Sequence, residues 1–400
     1  MRKVQVAALA LAMALAGCAA GLPTAEAPLS AGAASNALAV DLYRQLSINP
    51  GNLVVSPTSL AGAMAPVALG AQGETRAGID RALHFGPGDP TVALGADFAA
   101  LTGRREGARV DIANALWVQG GFALKPAFVG AARRNLGAEV ASLDFVQSQA
   151  AAARINRWAS DNTAGRIPTI VSADSLGPAT RLVVTNAVYL FADWQNPFKA
   201  EHSGAAPFTG RGGKTMSVRM MRQHGAFRLI ARDGVKAIEL PYRGGRLAMT
   251  AILPDAAGGL PGLERRLDAK WLAALTIALD TVAPQAVELA LPKLRTESEY
   301  QLAGPLSAMG MGRAFSEAAD FGGIADAPLS ISEVVQKTFL KIDEKGTEAA
   351  AVTAVMIVVT GMQIRPEQTF IADHPFLFLI RDRPTGQILF IGRIEAPVAG

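Results

Sequence analysis

The stretch D-E-K-G-T-E-A-A-A-V-T-A-V-M-I-V-V-T-G-M-Q at residues 343–363 restricts the possible folds more than any other part of the chain. It opens with charges and a glycine, continues through three alanines and ends in a β-branched apolar run. The second half suits a buried strand, because β-branched side chains pack well on a pleated surface. The first half suits water. A period of two puts Thr347, Ala349, Ala351, Thr353, Val355 and Ile357 on one face; Glu348, Ala350, Val352, Ala354, Met356 and Val358 fall on the other. With the first face turned inward, no formal charge is buried, and an unpaired buried charge is very costly. No proline interrupts residues 346–360, so every amide there can join a ladder. At ~3.3 Å per residue, residues 347–360 would span ~46 Å, enough to cross a domain. An ordinary edge or hairpin strand would explain residues 355–359 but not the glycine-and-alanine entrance, which suits a segment that meets both water and a sheet.

Half of the 400 residues are hydrophobic and 18% are charged, which supports a sizeable core and excludes wholesale disorder. The N-terminus reads M-R-K, then an Ala/Leu-rich run, then G-C: a secretory signal, too short to span a bilayer. Loss of Arg2 and Lys3 with this leader lowers the formal charge from +4 to +2, too weak to imply nucleic acid or an anionic surface. The pairs Arg104-Arg105 and Arg133-Arg134 read as solvated surface. L-A-G-C at 15–18 resembles the lipobox of bacterial lipoproteins, which implies a leader over residues 1–17 and a lipidated Cys18. Cys18 is the only cysteine in the chain, and lipidation accounts for an unpaired thiol in an exported protein. The expected location is therefore the cell envelope or surface, anchored to a membrane through Cys18. The alternative is an ordinary signal peptide with a chance cysteine and a periplasmic or secreted soluble product. Residues 18–34, rich in small side chains, read as a flexible tether. No repeat or second linker follows, so residues 35–400 are expected to form one domain held by packing alone.

Along that domain, Ser35 can cap a helix with Leu38, Leu42, Tyr43 and Leu46 on one face. N-L-V-V-S-P at 52–57 reads as a short strand leading into a helix near Pro57, a residue suited to a first helical turn. Residues 109–118, 180–190, 246–254, 375–381 and 387–394 read as strands, and 126–136 as a helix. Helices dominate early and strands late without regular alternation, which predicts an α+β fold.

Nothing in the sequence points to catalysis. The four histidines (His84, His202, His224 and His374) stand outside any metalloprotease motif, and no G-x-S-x-G elbow is present. After lipidation no cysteine is left for a thiol nucleophile or zinc. His374, in A-D-H-P-F, reads as structural. No metal or cofactor is implied.

Several segments in order resemble the serpin family: N-L-V-V-S-P-T-S-L-A-G-A-M-A at 52–65, T-N-A-V-Y-L-F-A-D-W-Q-N-P-F at 185–198, I-E-L-P-Y at 238–242, A-F-S-E-A-A-D-F-G-G-I at 314–324, F-L-K-I-D-E-K-G-T-E-A-A-A at 339–351 and F-I-A-D-H-P-F-L-F-L-I-R at 370–381. The resemblance implies three β-sheets, eight or nine helices and an exposed reactive loop at about 344–365. It also implies a monomeric protease inhibitor rather than an enzyme. Such an inhibitor acts as a suicide substrate: a serine protease cuts the loop, is held as its acyl-enzyme, and is carried off as the loop inserts into the central sheet. A non-inhibitory serpin used for binding is the alternative.

The resemblance assigns a hinge to Glu344, Gly346, Thr347, Glu348, Ala349, Ala350 and Ala351. Independently, a segment entering a narrow gap needs a free backbone first, which Gly346 supplies, and small side chains next. Family spacing sets the reactive bond at Thr360-Gly361, with Val359 or Met362 as alternative specificity residues. None of these is charged, which points to elastase-, subtilisin- or chymotrypsin-like targets; the nearest arginine, Arg365, precedes Pro366, a poor site for trypsin-like cleavage. A sheet-opening cluster is implied at Ser56, Ser59, Asn186, Trp194 and Gln336. Gln336 stands where the family often has histidine; it can still donate and accept.

Overall fold

The computed structural model describes residues 31–347 and 368–398. Cys18, the hinge residues Glu348, Ala349, Ala350 and Ala351, and the reactive positions Val359, Thr360, Gly361 and Met362 lie outside the described residues. The first part contains α1 (Ala31–Leu46), β1 (Leu53–Val55), α2 (Pro57–Gly70), α3 (Gly73–Leu83), α4 (Pro90–Leu101), β2 (Gly103–Arg105), β3 (Ala108–Gln119), α5 (Pro126–Leu136), β4 (Glu139–Leu143) and α6 (Ser148–Asn162). It is followed by β5 (Leu182–Asp193), β6 (Gly204–Thr209), β7 (Thr215–Arg232), β8 (Val235–Pro241), β9 (Leu247–Pro254), α7 (Leu260–Arg266), α8 (Ala269–Thr281), β10 (Gln285–Pro292), β11 (Leu294–Gln301) and the short α9 (Ala303–Leu306). The chain ends in strands: β12 (Ile331–Ile342), β13 (Gly346–Thr347), β14 (Gln368–Ile371), β15 (Phe376–Asp382) and β16 (Ile388–Ile394).

Local chemistry explains several boundaries. Proline opens α2, α4 and α5, where the missing N–H costs nothing. Ser56 and Asp89 cap α2 and α4 by accepting from the amides of Ser59 and Thr91. One boundary corrects the sequence reading. The first helix starts at Ala31, inside the segment read as tether, and Ser35 is not its cap. The Ser35 hydroxyl instead meets Thr58 Oγ1 at 3.1 Å, and the helix start packs so closely that a side chain at Gly32 would lie 2.8 Å from the Thr385 carbonyl.

Three sheets are present among the described residues, and with nine helices they make the expected α+β fold. The first sheet runs β11-β12-β13-β5-β3-β2, with β4 on β3. The second runs β1-β16-β15-β9-β8 and ends on the second half of β7. The first half of β7 belongs to the third sheet, with β6, β10 and β14. The two faces of the first sheet carry separate cores. One is covered by α6, whose Ala151, Ala152, Ile155, Trp158 and Ala159 form a helical stripe over Trp117, Val183 and Val335. The other packs on α2, which is buried almost all round and lies between this sheet and β16. Small residues let α2 fit there; a Cβ at Gly62 would meet the Phe98 ring at 2.1 Å. β12 and β5 are thereby set in the middle of a sheet braced on both faces.

Candidate functional site

At the centre of the first sheet, β12 and β5 pair directly in parallel, from Val334 opposite Val184 to Phe339 opposite Tyr189. Farther along they separate, and β13 fills the gap. Thr347 lies opposite Ile342 on one side and Ala192 on the other, and Gly346 lies opposite Asp193. Both of these pairings are antiparallel. The seam is thus closed along most of its length and held apart at one end by a two-residue wedge.

Four of the five residues assigned to a sheet-opening cluster meet beneath the seam. Gln336 Nε2 donates to Asn186 Oδ1 (2.6 Å), across the seam, and to the Ser56 carbonyl (2.9 Å); its Oε1 accepts from the Ser56 amide (2.9 Å). Asn186 Nδ2 in turn serves Ser59 Oγ, the Ser59 carbonyl and Asn114 Oδ1. All four residues are buried, so the bonds are made without competition from water. Gln336 therefore ties β12 both to β5 and to the start of α2. Its amide carries no titrating proton, so this tie holds the same charge at every pH where the protein is folded. Asn114 on β3 completes the group and was missed in the sequence, where a lone asparagine in an apolar strand carries no signal of its partner 72 residues away.

Trp194, the fifth residue, stands apart at the mouth of the seam. Its Nε1 donates to the Asp343 carbonyl (3.0 Å) and its amide to the Lys345 carbonyl (2.7 Å), while Phe198 N donates to the Glu344 carbonyl (2.8 Å). These bonds fix the turn between β12 and β13. Trp194 stacks on Tyr242 with ring centroids 4.5 Å apart and planes 7° from parallel. The Tyr242 hydroxyl meets Thr347 Oγ1 at 2.7 Å. Burial pushes the Tyr242 phenol above its ordinary range, so it keeps its proton. Gly346 is required here for space as well as freedom: at φ 156°, a Cβ would lie 2.0 Å from the Ala192 carbonyl oxygen. Glu344 pairs with Lys293 at 2.8 Å. Burial alone would raise its carboxyl, but the Lys293 hydrogen bond and charge hold it below the ordinary glutamate range.

A family model described as Serpin (serine protease inhibitor) matches residues 33–397. The chain belongs to the serpin family. It is 40% identical to a serpin-like protein of Thermococcus kodakarensis over 373 residues, covering 92% of this chain and 86% of that protein. It is 37% identical to the leukocyte elastase inhibitor of Sus scrofa, over 91% of this chain and 99% of the relative. Among solved structures it resembles a highly specific serpin of the insect Tenebrio molitor, with a TM-score of 0.81 and 31% identity over 91% of this chain and 97% of that one. This serpin thus stands among protease inhibitors rather than enzymes. His374 is held between Asp373 and the Pro254 carbonyl, both at 2.7 Å.

Two outcomes follow from this geometry. Gln336→Ala strands buried partners on Ser56 and Asn186, and should lower native stability by about 1–3 kcal/mol; an unchanged denaturant midpoint with unchanged slope would contradict that. The Glu344–Lys293 pair has a depressed folded carboxyl, so its contribution is present above the unfolded glutamate range and lost as pH falls through the folded value. Acidification through and below the ordinary glutamate range should therefore loosen the β12–β13 turn, seen as a change in tryptophan emission that Glu344→Gln abolishes. Persistence of the same acid change in the variant would place its cause elsewhere.

Proposed function

We propose that this serpin is a suicide-substrate inhibitor of serine proteases that prefer small or medium apolar residues, cut at Thr360-Gly361 with Val359 or Met362 as the alternative specificity residue. The observation that carries the reading is the wedge of β13, antiparallel to both neighbours above a closed seam. Continued residue by residue, both ladders converge. Six residues beyond Thr347, Thr353 would come opposite Gln336 on β12 and Asn186 on β5, the pair whose side chains bridge the seam. The period of two would turn Thr353 to the same face as Thr347, where those amides lie. A threonine hydroxyl both donates and accepts, so it could replace the bond that insertion breaks. The residues ahead of it are small and uncharged on that face, and the apolar run behind it would be buried. The leukocyte elastase inhibitor relatives support the apolar preference.

Incubation with elastase, subtilisin, chymotrypsin and trypsin tests this. At least one of the first three should give an SDS-stable complex with release of residues 361–400. Cleavage without a complex by all of them would instead support a non-inhibitory binding serpin, and a stable trypsin complex would overturn the specificity.

The inhibitor is further proposed to act from a membrane, tethered through lipidated Cys18 at the cell envelope. Labelled palmitate should enter the wild-type chain and not Cys18→Ala; equal labelling of both would remove the anchor.

A further inference from the structure

The seam is fastened a second time at its other end, by residues outside the Gln336 cluster. The first residues of β12 do not pair regularly: Ile331 lies opposite Leu182 and Glu333 opposite Val183, so Ser332 is bulged out of the ladder. Its hydroxyl takes the place of a backbone acceptor, receiving the Arg181 amide at 2.9 Å. The Arg181 carbonyl accepts from Gln119 N at the end of β3 (2.8 Å), so this one peptide ties β12 to the β5–β3 side. Next to it, Glu333 Oε2 accepts from Ser175 Oγ at 3.3 Å. Ser175 ends a strap that follows α6 and crosses the seam. Asn156 of α6 pins the strap by accepting from the amides of Ile170 (2.7 Å) and Val171 (3.0 Å) and donating to the Val171 carbonyl (2.9 Å). Ile167, Ile170 and Val171 are buried in the same core as Val183 of β5 and Val335 and Phe339 of β12. The strap therefore roofs the lower seam, and Ser332 and Glu333 hold it shut.

We infer that Ser175, Ser332 and Glu333 form a clasp that controls completion of strand insertion and not its beginning. The inference rests on the insertion reading above. By the β12 register, a strand entering beside Thr347 reaches Gln336 after six residues and Ser332 only after ten. Its first half can pair without touching the clasp. Its second half must part the Ser332–Arg181 bond and lift the strap. These three are positioning residues: none touches a protease, and they act through the gap between β5 and β12.

Synthetic peptides separate the two stages. One has the sequence of residues 347–353, the other that of 347–359. Annealing of each to the full-length protein is followed on native gels. Ser332→Ala and Glu333→Ala should speed annealing of the long peptide by about three- to tenfold, the range set by losing one net hydrogen bond. The short peptide should anneal at the wild-type rate. Glu333→Gln keeps an oxygen acceptor for Ser175 and should behave as wild type. Equal acceleration of both peptides would mean general loosening of the fold and overturn the clasp, as would no change in either. Failure of the wild-type protein to anneal either peptide would overturn the clasp together with the insertion reading; a wild type that takes up both, with variants that do not discriminate, would overturn the clasp alone.

Discussion

The bond from Gln336 to Asn186 is the interaction on which the described state depends. It crosses a parallel pair of strands in the middle of a sheet, and parallel pairing is slightly weaker per residue than antiparallel. A strand inserted there would exchange one parallel ladder for two antiparallel ones, in the direction already taken by β13. Each new backbone bond contributes only about 1 kcal/mol net, but a dozen residues bonding on both edges outweigh one buried amide bridge. On the proposed insertion reading, the closed sheet is held by barriers rather than by being the best available arrangement. Gln336 guards the middle, and the Ser332 and Glu333 contacts close the far end.

The mouth of the seam is stiff, not loose. Trp194 and Phe198 hold three successive carbonyls of the β12–β13 turn, and the Tyr242 hydroxyl secures Thr347. Read from sequence, Gly346 supplies freedom to a moving hinge. Within the sheet it also supplies clearance, since the Ala192 carbonyl occupies the space a side chain would need. One residue type serves both demands: glycine can travel, and glycine alone can sit that close to a neighbouring strand.

Much of the framework was legible because it rests on local pattern. The apolar runs of β9, β15 and β16 and the proline-started α2 and α5 need no distant information. The body of the first helix was legible from Leu38, Leu42, Tyr43 and Leu46, but its start at Ala31 was not, because the Ala-rich first turn shows no stripe and is fixed by packing on the turn before β16. The stripe of α6, with Ala151, Ile155 and Trp158, was not read from the sequence, because it does not stand out in a run of alanines. At the site, Ser56, Ser59, Asn186 and Gln336 could be assigned through family resemblance, whereas Asn114, Tyr242 and the Ser332–Arg181 tie depend on strand register. Register between β5 and β12, nearly 150 residues apart, is a product of topology that no local signal carries.

The most direct measurement is the thermal unfolding midpoint of the protein before and after cleavage in the segment 354–362 by a protease that is not trapped, combined with hydrogen exchange at β5 and β12. If the closed seam is a held state, the cleaved protein should unfold at a temperature higher by tens of degrees, with the amides of both strands more protected. An equal or lower midpoint, with exchange along the seam unchanged, would contradict the view that this sheet is built to admit a further strand.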